Sequence, residues 1–204
     1  MSIVVQQPQS PASSLILLMH GVGAAPQSML GTAHWFANRN STAMVVSVAS
    51  PEPSDVSNGR QWFSVKGVTE DNRQARVDAA MPTFLATVRH WQGVSRTDAQ
   101  RTLVAGFSQG AIMALESTKL EATAALRIVA IAGRFASLPN HQSGATIHIL
   151  HGDSDRVMPV AVAQAAQARL LQLGTNVTLD LLLGVGHEPN HAFLECLSSR
   201  LSPT

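Results

Sequence analysis

The chain is poor in cysteine, in aromatic residues and in charge. Of its 204 residues, one is cysteine (Cys196), none is tyrosine, and 13% are charged. A single cysteine excludes a disulfide within the chain, which fits a reducing compartment. The sequence therefore predicts a cytoplasmic protein that is stabilised by a hydrophobic core. Its 45% of hydrophobic residues are enough to form the core of one domain.

Neither the charge nor the hydrophobic runs point to a nucleic acid or a membrane. Fourteen Lys and Arg against 13 Asp and Glu leave a net charge of +1, so a nucleic-acid partner has no electrostatic support. The longest apolar run, Leu15–Met19, is far shorter than the roughly 20 residues that span a bilayer. The first residues lack the basic segment and apolar core of a signal peptide, so we expect no stable membrane insertion.

Short apolar runs alternate with segments of helical spacing. Such runs are typical of strands buried on both faces in parallel sheets. The predicted strands are Leu15–Met19, Ala43–Val48, Thr102–Ala105, Ile128–Ile131, Ile147–Leu150 and Val177–Leu183. Four helices are predicted at Gln27–Asn38, Gln109–Lys119, Pro159–Leu173 and Pro189–Leu201. A fifth helix is predicted to begin after Thr69, which can cap it, and Pro82 inside this helix predicts a kink or a break. This alternation predicts a doubly wound α/β sheet, with ligands at the carboxyl ends of its strands.

A serine follows the predicted strand at Thr102–Ala105. Gly106-Phe107-Ser108-Gln109-Gly110 fits G-x-S-x-G, in which the serine sits on a sharp turn from strand to helix and small flanking residues prevent collisions. The motif lies between an apolar strand and a helical segment, where the mechanism requires it. We therefore predict that Ser108 is a nucleophile.

A serine hydroxyl needs a base, and the base needs an orienting carboxylate. In α/β-hydrolases the chain order is Ser, then Asp or Glu, then His. Asp153 and Asp155 both follow the strand at Ile147–Leu150, and the spacing leaves the choice between them open. His187 follows the last strand in a glycine-flanked turn, and is the best candidate for the base. The histidines at 34, 90, 141 and 148 fall within helices, a strand or a loop that no strand precedes.

His187-Glu188-Pro189-Asn190-His191 also matches H-E-x-x-H of zinc peptidases. That site requires both histidines on one face of a continuous helix. Pro189 lies between them, and proline inside a helix costs about 3 kcal/mol or more. A helix is thus expected to start at Pro189, and His191 is expected on its surface.

The stretch Leu15–Pro26, LILLMHGVGAAP, begins with a predicted strand and continues into a glycine-containing loop. It could cradle a phosphate or supply half of an oxyanion hole. Pro26 occupies the third glycine position of G-x-G-x-x-G, and the lysine of a P-loop is absent. The oxyanion interpretation predicts two backbone donors, the N–H groups of Val22 and Gln109.

Taken together, HGVG, GFSQGAIMALE, HGDSDRVMP and GVGH resemble the carboxylesterase/phospholipase branch of the α/β-hydrolases, which includes the acyl-protein thioesterases. The segment GRQWFSVKGVTEDNRQARVDAAMPTF is similar to bacterial esterases of that branch. The resemblance implies one α/β-hydrolase domain over residues 1–204, with a mostly parallel sheet flanked by helices and no metal or organic cofactor. Its pattern H-G-x-x-D-x-x-V/M-P selects Asp155 over Asp153, and Asp153 is then expected to cap or brace the turn.

The resemblance also places Trp62 and Phe63 near the site. Trp62 lines an acyl pocket or packs in the core, and the sequence does not separate the two. Many relatives carry an acidic residue where this chain has Ala24, so substrate preference need not carry over. The connection from Ala132 to Thr146 is short where larger hydrolases insert lids. It predicts no sizeable lid and an open site.

We thus predict a serine hydrolase that cleaves carboxylic ester or thioester bonds of short or accessible acyl groups. Ser108, Asp155 and His187 form its triad, and its substrate is a small-molecule, lipid or protein-borne acyl ester. The alternatives are a catalytically inactive binding protein of the same fold, a zinc peptidase built on HEPNH, and a dinucleotide-binding oxidoreductase.

Overall fold

A computed structural model describes residues 1–9 and 11–201. The predicted domain of residues 1–204 includes Ser10 and residues 202–204, which lie outside that description. The described strands are β1 (Ile3–Gln6), β2 (Leu15–Met19), β3 (Met44–Val48), β4 (Glu52–Pro53), β5 (Arg60–Gln61), β6 (Thr102–Phe107), β7 (Arg127–Ile131), β8 (Thr146–Gly152) and β9 (Val177–Leu182).

Seven of these strands form one sheet in the order β1-β3-β2-β6-β7-β8-β9. Every neighbouring pair is parallel except β1 and β3. The central strands β2 and β3 are buried along their whole length, which is why they read as continuous apolar runs. The predicted mostly parallel sheet flanked by helices is confirmed.

The sequence did not predict three strands. β1 lies at the edge of the sheet and is only partly buried, and its apolar run of Ile3, Val4 and Val5 is short and followed by polar residues. β4 and β5 form a two-residue ladder, and β4 falls in the stretch Ser50–Gly59, whose proline, serine and glycine content is typical of a loop. Strands this short leave no periodicity in a sequence.

The helices are α1 (Leu30–Arg39), α2 (Glu70–Ser95), α3 (Gln109–Ser117), α4 (Val160–Gln172) and α5 (His191–Arg200), with a short 3-10 turn at Pro26–Met29 before α1. Thr69 caps α2 as predicted, and its hydroxyl accepts from the amide of Asn72 at 3.3 Å. Pro82 was predicted to cause a kink or a break, and the break is wrong, because α2 continues through Pro82. The buried stripe of Val77, Met81, Phe84 and Val88 runs on both sides of Pro82 and offsets the lost hydrogen bond.

Two hydrophobic clusters cover the two faces of the sheet. One is built with side chains of α2, α3 and α4, and the other with side chains of α1 and α5. Within the described ranges, no helix has the length and hydropathy needed to cross a bilayer.

The connection at residues 132–145 contains no helix or strand. The buried side chain of Glu116 accepts a hydrogen bond from the amide of Ala136 at 2.7 Å. Arg134 forms a bidentate ion pair with Glu70, with distances of 2.8 and 3.1 Å. These bonds hold the connection against α2 and α3. Within the described residues, this connection therefore forms no sizeable lid.

Candidate active site

Ser108 lies on the turn between β6 and α3 in a strained backbone conformation, with φ 53° and ψ −116°. A non-glycine residue held there costs about 1–3 kcal/mol, which the surrounding structure must supply. Both flanking glycines are needed. A Cβ on Gly106 would overlap the backbone at Gly110 and Ala111, and a Cβ on Gly110 would overlap the carbonyl of Met19. The turn thus places the Ser108 hydroxyl at the carboxyl edge of the sheet.

The structure brings Ser108, His187 and Asp155 together in one line. His187 Nε2 lies 2.9 Å from Ser108 Oγ, and Nδ1 lies 2.7 Å from Asp155 Oδ2. An ionised carboxylate only accepts hydrogen bonds, so Nδ1 carries the proton of the neutral ring. Nε2 is then free to accept the proton of the serine hydroxyl. This is the geometry that a nucleophile, a base and an orienting carboxylate require.

Asp155 is buried but fully hydrogen-bonded. Its Oδ1 accepts from the amides of Val157 and Met158 at 2.8 Å each, and its Oδ2 accepts from His187. Burial by itself raises the pKa of Asp155. The amide of Met158, the ring of His187 and the amide of Val157 together outweigh burial, so the pKa lies below its ordinary value. The carboxylate therefore stays ionised at neutral pH.

Asp153, the other carboxylate that the spacing allowed, points elsewhere. Its Oδ1 accepts from the amide of Gly184 at 2.7 Å, and the amide of Ser154 donates to the carbonyl of Val185 at 3.1 Å. These bonds tie the loop after β8 to the loop that carries His187. Asp153 braces the turn, as the sequence analysis expected.

The loop after β2 lies beside the serine. A Cβ on Gly21 would come within 3.1 Å of the Cβ of Ser108, so glycine permits this close approach. The amides of Val22 and Gln109 donate to no other residue that the structure describes. Both N–H groups are thus available to an oxyanion formed at Ser108.

The side chain of Gln109 has a role that the sequence analysis missed. Its Oε1 accepts from the amide of Trp62 at 2.8 Å, and its Nε2 donates to the carbonyl of Phe63 at 2.7 Å. Gln109 is only 2% exposed, so the pair is shielded from water. The residue after the serine thereby holds the Trp62–Phe63 segment next to the site.

The indole of Trp62 packs in the core. It makes an edge contact with Phe84 at 5.1 Å between ring centres, and Trp62 is 2% exposed. Trp62 and Phe63 also border a small cavity of about 260 Å³ beside α2. Of the two roles left open for Trp62, packing is the one that its contacts favour.

Two buried histidines next to glycines were also missed as site components. His20 precedes Gly21 and is fully buried. His151 Nε2 donates to the carbonyl of Met158 at 2.7 Å. The same nitrogen lies 3.5 Å from Asp155 Oδ2. The His-Gly pair that follows β2, repeated in the last two residues of β8, was the only signal for them in the sequence.

The HEPNH stretch does not have the geometry of a zinc peptidase. α5 begins at His191, whereas His187 lies in the preceding loop, so the two do not share a helical face. The helix was predicted to start at Pro189. It starts two residues later because the side chain of Asn190 caps it, accepting from the amide of Ala192 at 2.9 Å. His191 is exposed, as predicted.

Comparison with known proteins shows the family to which the chain belongs. The sequence matches the phospholipase/carboxylesterase family over residues 1–204. It is 55% identical over 185 residues to esterase YpfH of Escherichia coli (strain K12), which covers 90% of this chain and 80% of the relative. It is 23% identical to acyl-protein thioesterase 1 homolog 1 of Dictyostelium discoideum, over 98% of this chain and 94% of the relative.

Solved structures show the same fold. The crystal structure of esterase PE8 has a TM-score of 0.84 at 24% identity, covering 98% of this chain and 96% of the other. The Bacillus cereus carboxylesterase has a TM-score of 0.80 at 15% identity, with coverage of 98% and 92%. The α/β-hydrolase fold that the sequence motifs predicted is thereby confirmed.

Proposed function

Since this chain belongs to the phospholipase/carboxylesterase family and is an ester-cleaving hydrolase, we propose that it acts through an acyl-enzyme on Ser108. His187 is the general base and acid, and Asp155 orients it. The observation that carries the proposal is the continuous hydrogen-bonded line from Ser108 Oγ through the His187 ring to Asp155, with bonds of 2.9 and 2.7 Å.

In the first half of the reaction, Ser108 Oγ attacks the carbonyl carbon of the ester while its proton passes to His187 Nε2. The carbonyl oxygen becomes an oxyanion, which accepts hydrogen bonds from the amides of Val22 and Gln109. Loss of one such donor typically costs about 10²–10³ in rate. The oxyanion collapses, the bond to the leaving oxygen or sulfur breaks, and Nε2 returns its proton to that atom.

In the second half, water attacks the acyl-enzyme, giving its proton to the same Nε2. The carboxylic acid leaves and Ser108 regains its proton. Asp155 remains ionised throughout and stabilises the imidazolium that forms in each half. Every bond and proton is assigned to groups of this chain and to water, so we expect a chelator to leave the rate unchanged.

The substrate is a short or exposed acyl ester or thioester. The connection at residues 132–145 is held against α2 and α3 by Glu116 and Arg134, and this described segment adds no inserted helix or strand that would enclose a long chain. Residues 1–204 act as one domain, because the site gathers loops from both halves of the sequence. The cytoplasm is the proposed compartment, with Cys196 as the single thiol.

Two measurements test this function. The wild-type chain should hydrolyse p-nitrophenyl acetate faster than p-nitrophenyl octanoate, and a fluorophosphonate probe should label it covalently. Ser108→Ala should abolish both turnover and labelling, while Ser154→Ala, an exposed serine on a neighbouring loop, should abolish neither. Labelling that persists in Ser108→Ala would remove Ser108 as the nucleophile. A wild-type chain that neither turns over nor becomes labelled would favour the binding-protein alternative.

A further inference from the structure

We propose that His20 is a positioning residue that sets the direction of the Val22 N–H in the oxyanion hole. The inference rests on the proposed function, in which the Val22 amide stabilises the oxyanion at Ser108. His20 lies at the end of β2, is fully buried, and touches the reacting atoms only through the peptide that follows it.

The contacts of His20 determine which ring nitrogen carries its proton. Nε2 lies 3.2 Å from the amide nitrogen of Ser50, and an amide can only donate, so Nε2 accepts. Nδ1 lies 2.8 Å from the carbonyl oxygen of Gly21, and a carbonyl can only accept, so Nδ1 donates. The ring is therefore neutral with its proton on Nδ1. Burial, the largest cause, lowers the pKa of His20 and keeps the ring in this form.

The bond to Gly21 acts on Val22 through the peptide plane. The Gly21–Val22 peptide is trans, so its C=O and its N–H point in opposite directions. Since His20 holds the carbonyl of Gly21 on one side, the N–H of Val22 must point to the other side. A rotation of this plane would turn the N–H away from the oxyanion without moving Ser108 or His187.

Other contacts of the loop fix its later residues and leave this plane to His20. The amide of Gly23 donates to the carbonyl of Arg60 at 2.9 Å, and the amide of Arg60 donates to the carbonyl of Ala24 at 2.8 Å. The Gly21 carbonyl also accepts from the amide of Ala24, but at the longer distance of 3.3 Å. The shorter bond from His20 is thus the stronger hold on the Gly21 carbonyl.

Two conservative substitutions separate the two bonds of His20. His20→Asn places an amide nitrogen near the position of Nδ1 and so keeps the donor to Gly21. His20→Gln reaches Ser50 instead and loses that donor. We expect His20→Gln to lower kcat for p-nitrophenyl acetate by at least about tenfold, up to the roughly 10²–10³-fold loss of a whole oxyanion donor, with KM little changed. His20→Asn should keep most of kcat.

The matched control is His148→Gln, which removes a buried histidine bonded to Thr178 away from the site and should leave kcat unchanged. Affinity for a phenylboronic acid, which forms a tetrahedral adduct on Ser108, should fall in His20→Gln by the same factor as kcat/KM. A His20→Gln enzyme with wild-type kcat would overturn the inference, as would an equal loss of kcat in His20→Asn. Activity that survives in Ser108→Ala would instead overturn the proposed function.

A measurement on the unaltered chain covers the case in which His20→Gln does not fold. The ¹⁵N chemical shifts of the His20 ring should show a neutral ring protonated on Nδ1. A ring protonated on Nε2, or charged at neutral pH, could not accept from Ser50 while donating to Gly21, and would overturn the inference.

Discussion

The side chain of Gln109 links the proposed active site to the stability of the fold. Gln109→Leu keeps nearly the same volume but removes both the acceptor of the Trp62 amide and the donor to the Phe63 carbonyl. Gln109, Trp62 and Phe63 are all buried, and the most exposed of them, Phe63, is 6% exposed. Water therefore cannot replace the lost bonds. An unsatisfied buried polar group costs about 1–3 kcal/mol, so two cost roughly 2–6 kcal/mol of a typical total of about 5–15 kcal/mol.

The assay is urea unfolding at neutral pH, followed by tryptophan fluorescence and by circular dichroism. Gln142→Leu is the matched control, because Gln142 makes one bond of 2.7 Å to the carbonyl of Gly174 but is exposed. Its cost should stay within about 0.5 kcal/mol. If Gln109→Leu lowers the free energy of unfolding by no more than this control does, the side chain does not hold the Trp62–Phe63 segment.

The Gln109 substitution also separates the side chain from the backbone. Gln109→Leu keeps the N–H that the mechanism assigns to the oxyanion hole. Folded Gln109→Leu enzyme should therefore still react with a fluorophosphonate, in contrast to Ser108→Ala. Complete loss of labelling in a folded Gln109→Leu enzyme would refute this separation of roles.

Further substitutions test the turn and the carboxylate. Gly110→Ala should prevent stable folding or abolish activity, because its Cβ would overlap the carbonyl of Met19, whereas Gly93→Ala, with open space around it in α2, should raise the free energy of unfolding by about 0.5–1 kcal/mol. Thermal unfolding of both variants checks this pair, and an unperturbed, active Gly110→Ala would contradict it. The pKa of Asp155 is lowered by folding from its ordinary 3.8, so its carboxylate stabilises the fold fully above that pH and less as the pH falls below it. Urea unfolding should show Asp155→Asn less stable than wild type at neutral pH, with a difference that shrinks below about pH 4; a difference independent of pH would contradict the hydrogen-bonding pattern.

The sequence predicted the parts of the fold that leave a local pattern. Fully buried strands such as β2 and β3 appear as apolar runs, and their predicted bounds agree with the structure to within one residue. The edge strand β1 has only a short apolar run and is partly buried. The effect of Pro82 on α2 was predicted from the local cost of a proline alone. The buried stripe along α2 that offsets this cost is a tertiary contribution that local propensity does not contain.

The site divides in the same way. Ser108 and His187 could be singled out because each lies in a glycine-containing turn after a strand. Spacing alone did not choose between Asp153 and Asp155, since two residues in one loop can exchange directions with a small change of backbone. The bonds of Gln109 to Trp62 and Phe63, and of His20 to Ser50, join segments between 30 and 47 positions apart. Contacts of that kind have no period, so no local pattern announces them.

His187 depends on an edge of the sheet. It follows β9, an outer strand that pairs on one side only within the described sheet and is mostly half-buried. Such outer elements open with a smaller free energy than the centre of a fold. In rising denaturant, turnover should thus vanish while the helices still give their full circular-dichroism signal, and dilution should restore it. The enzyme would then report the fraying of a single strand.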